Sequence, residues 1–190
     1  MNTKFLTKRL AVSAVMIALA SVLSVLAVFK LPNGGSVTVA SMVPVIILSI
    51  IYGTKYGIFS AFAFSLLQML LGGIASPPTE SFLSYFLVIA LDYVIAFTVL
   101  GFAGMIYNLG GRKKYMIPLS GGIVVVLRFI CHFLSGVIIW DVYAPEGQPV
   151  WLYSLTYNGS YMGVELIITV AVLVLLANII KSLDEKMYKI

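Results

Sequence analysis

Apolar runs of bilayer-crossing length dominate this sequence and decide what it can fold into. Cut at charges, prolines and glycine pairs, the chain falls into six of them, roughly 10–29, 38–52, 56–75, 82–107, 116–140 and 152–180. A helix needs about 20 apolar residues to span the hydrocarbon core. Composition makes lipid the only suitable solvent, because 61% of the residues are hydrophobic and 10% charged. Soluble domains run near 45–50% apolar and about 25% charged, and a soluble fold of this size would leave much apolar surface in water. Disorder is excluded for the opposite reason, since disordered chains lack apolar residues. The pattern predicts an all-α integral membrane protein, a bundle of six transmembrane helices forming a single domain over 1–190. The second run is short and Pro44 interrupts it, so it is expected either to kink or to cross incompletely. Lys4, Lys8 and Arg9 ahead of the first run imitate a signal peptide, but five more apolar runs follow, so the first is read as a span.

Loop charges set the orientation, because cytoplasmic loops carry the excess of Lys and Arg. Lys4, Lys8 and Arg9, then Lys55, then Arg112, Lys113 and Lys114, then Lys181, Lys186 and Lys189 all fall on one side if six spans alternate. The other side holds Lys30, Glu80, Asp141 and Glu146. Both termini are therefore expected in the cytoplasm. The formal charge of +5 reflects these clusters and their contacts with the lipid bilayer, not a nucleic-acid surface. The lone Cys131 allows no disulfide within the chain and no thiolate metal cluster. Unusual loop chemistry collects on the outer side. Leu31-Pro32-Asn33-Gly34-Gly35-Ser36 suits a turn that brings backbone close to something, and residues 140–151 form a long loop between Trp140 and Trp151.

Four ionisable groups fall inside spans: Asp92, Arg128, His132 and Glu165. A charge at the bilayer centre costs about 2.5–3.5 kcal/mol on insertion scales, so each one calls for a reason. Asp92 lies about 15 Å in from the outer end of the fourth span. Arg128 and His132 are one turn apart and share a face, which continues through Ser135 or Gly136 to Trp140. On the sixth span Asn158, Tyr161 or Met162, and Glu165 form another polar stripe. Two arrangements satisfy these groups. Arg128 can pair with Asp92 or Glu165 and lock the bundle, although a buried pair breaks even at best against apolar packing. Alternatively the stripes converge on a cavity in the outer half, lined by Trp140, Trp151, Tyr153 and Tyr157, which is the make-up of a small-molecule pocket.

Missing motifs narrow the activity. The chain has no phosphate-binding G-x-x-x-x-G-K-[ST] loop, no G-x-S-x-G elbow and no H-E-x-x-H pair. No catalytic or metal site is expected, no cofactor is implied, and transport against a gradient would need an energy-supplying partner. Ala11, Ala14 and Ala18, with Ser21, make a small-residue stripe on the first span. Such stripes let helices approach closely, either within the bundle or from a partner.

The run Leu127-Arg128-Phe129-Ile130-Cys131-His132-Phe133-Leu134-Ser135-Gly136-Val137-Ile138-Ile139-Trp140 contains H-F-x-x-G-x-x-x-W. Downstream, Tyr153-Ser154-Leu155-Thr156-Tyr157-Asn158-Gly159 contains Y-S-x-x-x-N-G. Together they resemble the thiamine-specific substrate-binding subunit of energy-coupling factor (ECF) transporters, and Gly34-Gly35-Ser36, Pro44 and Asp92-Tyr93 fit the same pattern. The resemblance implies a six-helix protein of the bacterial cell membrane, without ATPase activity, that binds a vitamin from outside. It also implies a complex with a transmembrane coupling subunit and two cytoplasmic ATPases, docked on the Ala11, Ala14 and Ala18 stripe. The ligand-binding residues it implies are Asp92, Tyr93, His132, Trp140, Tyr153 and Asn158. Asp92 stands where the family pattern has Glu, and Val39 stands where an acidic residue is expected just before the second-span proline. Thiamine suits such a pocket, since its thiazolium cation favours aromatic faces and a carboxylate. Its aminopyrimidine edge needs the donors and acceptors that Asn158 and His132 carry. Two alternatives stand beside it: a subunit for riboflavin or a thiamine precursor, and an intramembrane enzyme using His132 with Glu165 or Asp92 as acid and base.

Overall fold

A computed structural model of the chain describes residues 3–32 and 34–188. Asn33 of the first outer loop, the Lys4 side chain and Lys189 of the tail lie outside the described residues. Six helices carry the fold: α1 (Thr3–Val25), α2 (Val43–Tyr52), α3 (Thr54–Gly72), α4 (Phe82–Leu109), α5 (Met116–Ile138) and α6 (Val150–Tyr188). Among the described residues, five of these are long and apolar enough to cross a membrane, and α2 is the exception. The first apolar run is helical only to Val25. Its remainder forms β1 (Ala27–Lys30), which pairs antiparallel with β2 (Ser36–Thr38). Val28 and Phe29 suit a strand, and Gly34 at φ +91° with Gly35 at φ +84° supplies the left-handed backbone that the reversal requires.

The short second span resolves physically. Ala40, at φ +56°, turns the chain out of β2, and Pro44 sits in the first turn of α2, where its missing N–H costs no bond. Pro44 therefore starts the helix and does not kink it. The ten residues of α2 reach only about 15 Å, half the hydrocarbon thickness. Val45, Ile46, Leu48 and Ile50 are all buried, so α2 is the hydrophobic centre around which the longer helices pack. Gly57 of α3 and Gly104 of α4 both close on Ser49 of α2, at separations that leave no room for a Cβ. On the other flank α5 and α6 run antiparallel, with Gly121 against Leu173 at one end and Gly136 against Ser154 at the other.

The 39 residues of α6 extend about 58 Å, well beyond a bilayer core. Its far end is tied down by Asp184, which is buried, pairs with Arg112 and accepts the Tyr107 hydroxyl at 2.9 Å. Arg9 lies over the Tyr52 ring, 5.2 Å from its centroid. The basic connections thus gather at one end of the bundle, and the hairpin and the 139–149 loop at the other. If the basic end is cytoplasmic, single cysteines replacing Glu146 and Lys113 in a Cys131→Ser background should label from opposite sides of the membrane. Labelling of both by an impermeant maleimide added outside would overturn that orientation.

Candidate functional site

At the hairpin end, α3, α4, α5, α6, the last turn of α1, the first loop and the 139–149 loop line a cavity of about 230 Å³. The residues singled out from the sequence, Asp92, Tyr93, His132, Trp140, Tyr153 and Asn158, all line it. Neighbours on a regular helix point about 100° apart, yet adjacent Asp92 and Tyr93 both reach the cavity. A π-helical turn over Ile89–Val94 carries the two residues, and this widened geometry is frequent at functional sites.

Asp92 is the hub. Its Oδ2 accepts the Ser135 hydroxyl at 2.6 Å and the Trp140 indole N–H at 3.2 Å, and its Oδ1 lies 3.0 Å from His132 Nδ1. Arg128 Nε donates to His132 Nε2 at 3.3 Å, so the imidazole proton belongs on Nδ1, where Asp92 accepts it. His132 is therefore neutral in this network, with both nitrogens engaged. Charge-assisted bonds of this kind allow a carboxylate to stay ionised away from water.

Arg128 does not make the expected pair with either carboxylate. Its guanidinium lies over Phe97, 3.9 Å from the ring centroid, a cation–π contact that sequence spacing did not reveal. His132 is bonded to Asp92 Oδ1, and Glu165 Oε1 accepts both the backbone N–H and the hydroxyl of Thr38. The cavity lining thus holds two carboxyl groups, Asp92 and Glu165, against one guanidinium, Arg128.

Aromatic rings form the outer wall. Trp140 stacks on Tyr143 at 6.2 Å and 24°, and Tyr153 tilts on Tyr157 at 5.6 Å. Trp151, expected in this wall, is instead exposed at the start of α6. Tyr93 lines the cavity but ties its hydroxyl to the α3–α4 connection, accepting from Ala75 N and donating to Gly73 O at 3.0 Å each. Asn158 is likewise committed to the protein. Its Nδ2 donates to the His132 carbonyl and to Ser154, and its Oδ1 accepts the Tyr161 hydroxyl at 3.0 Å.

The first loop belongs to the cavity even though its expected acid is missing. Val39 faces away and is exposed, while the Tyr157 hydroxyl donates to Gly34 O at 2.7 Å. Gly35 lies against the Tyr161 ring so closely that a Cβ would overlap it. Ser24, Gln68, Thr38 and Ser41 also line the cavity. No sequence signal marked these four, because they meet the site only through contacts between distant elements. Glu165 and Arg128, which stand on the polar stripes read from the sequence as converging on a cavity, both line it. No cluster of three or more metal-ligating side chains occurs among the described residues.

The alanine stripe divides. Ala11, Ala14 and Ala18 are exposed, whereas Ser21 turns into the bundle and donates to the Ile17 carbonyl.

Comparison with known proteins places this architecture. The family model described as thiamine transporter protein (Thia_YuaJ) matches residues 10–184. The thiamine transporter ThiT of Bacillus subtilis is 32% identical over 189 residues, covering 93% of each chain. ThiT of Lacticaseibacillus paracasei is 28% identical over 151 residues, covering 75% of this chain and 73% of that one. A solved structure of ThiT from Listeria monocytogenes shares the fold with a TM-score of 0.72 at 21% identity, covering 96% of this chain and 99% of that one. The matched families are transporters and not enzymes. The chain is a multi-pass helical membrane protein that belongs to the thiamine transporter family.

Proposed function

We propose that the cavity captures thiamine from the outer face of a bacterial cell membrane. The chain then acts as the substrate-binding subunit of an ECF-type importer, with both termini cytoplasmic. The observation that carries this reading is an aromatic-walled cavity lined by two carboxyl groups and one guanidinium, centred on a carboxylate held by three donors. A fixed thiazolium cation gains from the faces of Trp140, Tyr153 and Tyr157, by roughly 2 kcal/mol or more when desolvated, and from the charge of Asp92. Tight hydrogen bonding within the wall keeps these groups in place before the ligand arrives, which lowers the ordering cost of binding. The names of the relatives from Bacillus subtilis and Lacticaseibacillus paracasei support the choice of vitamin.

The same reading gives the chain no ATPase of its own, because the sequence holds no phosphate-binding loop. Energy would come from a transmembrane coupling subunit and two cytoplasmic ATPases, approaching through exposed Ala11, Ala14 and Ala18. Purified alone, the protein should show saturable quenching of tryptophan fluorescence by thiamine, release the vitamin unchanged and hydrolyse no ATP. The chain has only two tryptophans, and a Trp151→Phe variant isolates the Trp140 signal. Absence of saturable quenching, or recovery of a chemically altered ligand, would sink the assignment.

A further inference from the structure

Besides the outer cavity, the bundle leaves a second space, a slot of about 140 Å³ between α5 and α6. The two helices touch closely at both ends, where Gly136 meets Ser154 and Gly121 meets Leu173. Between those contacts they part. Val125 and Met162, 1% and 2% exposed, form the floor, Phe129 and Leu166 line it, and Gly159 and Gly163 leave it open. Glycines on membrane helices usually bring backbones together, yet these two bring none of the described chain close. A Cβ on Gly163 would meet nothing within 4 Å, and one on Gly159 only the Phe129 ring edge at 4.0 Å. The slot lies about 14–20 Å along the 23-residue α5, hence near the middle of the hydrocarbon core. A void there forfeits dispersion contacts for the atoms that line it, and apolar cavities of about 150 Å³ take up apolar guests.

We propose that the slot seats a segment of a phospholipid acyl chain, held by the protein apart from the fluid lipid around it. The lining commits the occupant to hydrocarbon, because none of its seven residues has a side-chain nitrogen or oxygen to meet a polar ligand. Val126 lines the slot and is 43% exposed, so the slot is continuous with the lipid-facing surface, which Ile130, Val164 and Ile167 extend along the same two helices. Phe129 and Leu166 stand beside the glycines, so the surface is a slot for a flexible alkyl chain and not a flat face for a second helix. A seated chain braces α5 against α6 next to residues that line the outer cavity, since Phe129 adjoins Arg128 and Met162 adjoins Tyr161. The inference is independent of which ligand that cavity takes.

The test measures the thermal midpoint of the delipidated full chain in detergent, with and without added dioleoylphosphatidylcholine. Lipid seated in the slot binds only the folded chain, so the wild-type midpoint should rise by about 5 °C or more at saturation. Gly163→Leu fills the slot with the chain's own hydrocarbon, so its lipid-dependent gain should fall below about 2 °C. Lipid that acts only as surrounding solvent would raise wild type and variant equally, which would overturn the slot. If Gly163→Leu does not fold, native mass spectrometry of the wild-type chain decides. One phosphatidylcholine per chain should survive activation that strips the rest, and loss of all lipid together would overturn the proposal. A wild-type dimer in light scattering that Gly163→Leu dissociates would give the slot to a second copy and overturn it as well.

Discussion

Asp92→Asn should weaken thiamine binding by roughly 30- to 1000-fold, about 2–4 kcal/mol, the range for truncating one partner of a buried charge interaction. Two effects add. The variant removes the negative charge facing the thiazolium, and it introduces an amide N–H₂ into a position surrounded by donors. His132 Nδ1, the Ser135 hydroxyl and the Trp140 indole all point at this carboxylate, so an asparagine can satisfy only some of them. A neutral analogue lacking the quaternary nitrogen separates the two contributions, because it feels the disturbed wall but not the lost charge. Its affinity should drop by no more than about tenfold, the cost of one unmet hydrogen bond. Titration of both ligands against wild type and variant checks this. Equal losses would move the cation away from Asp92.

Ala14→Trp or Ala18→Trp should abolish thiamine uptake in cells while leaving the affinity of the purified protein within about threefold. Both alanines are exposed on α1, so added bulk does not disturb the packing of the bundle. The inward side of α1 is a separate surface, with Ser13, Ala20 and Ser21 buried against the other helices. A partner helix that reaches its backbone through small residues would be held off by an indole. Uptake assays in a strain lacking its own thiamine importer, paired with binding assays on purified variants, distinguish the two steps. Uptake that survives both substitutions would remove α1 from the docking surface, and lost binding would mean that the bulk acts on the cavity instead.

The sequence by itself determined the solvent, the number of helices and the grouping of basic connections, because apolar run length and loop charge are local quantities that lipid reads directly. It also marked several residues that meet. Asp92, His132 and Trp140 stand on two segments at spacings that leave each facing inward, and the structure joins all three in one hydrogen-bonded cluster. Composition and periodicity contain no distance between segments, and that is where tertiary structure decided the outcome. Thr38 bonds to Glu165 across 127 positions, and that contact draws the first loop into the wall although Val39 supplies no acid. Arg128 rests on Phe97, a contact between α5 and α4 that spacing along either helix does not show. The shortness of α2 followed from where Ala40 and Pro44 allow a helix to begin, which an apolar run of 38–52 conceals. Asn158, which the motif marks as a ligand contact, lines the cavity, and only the packed bundle shows that Ser154, Tyr161 and the His132 carbonyl bond to its amide there. Helical spacing reveals which face a side chain occupies, but the partner that reaches it is set by how neighbouring helices approach, and glycines such as Gly136 govern that approach one Cβ at a time.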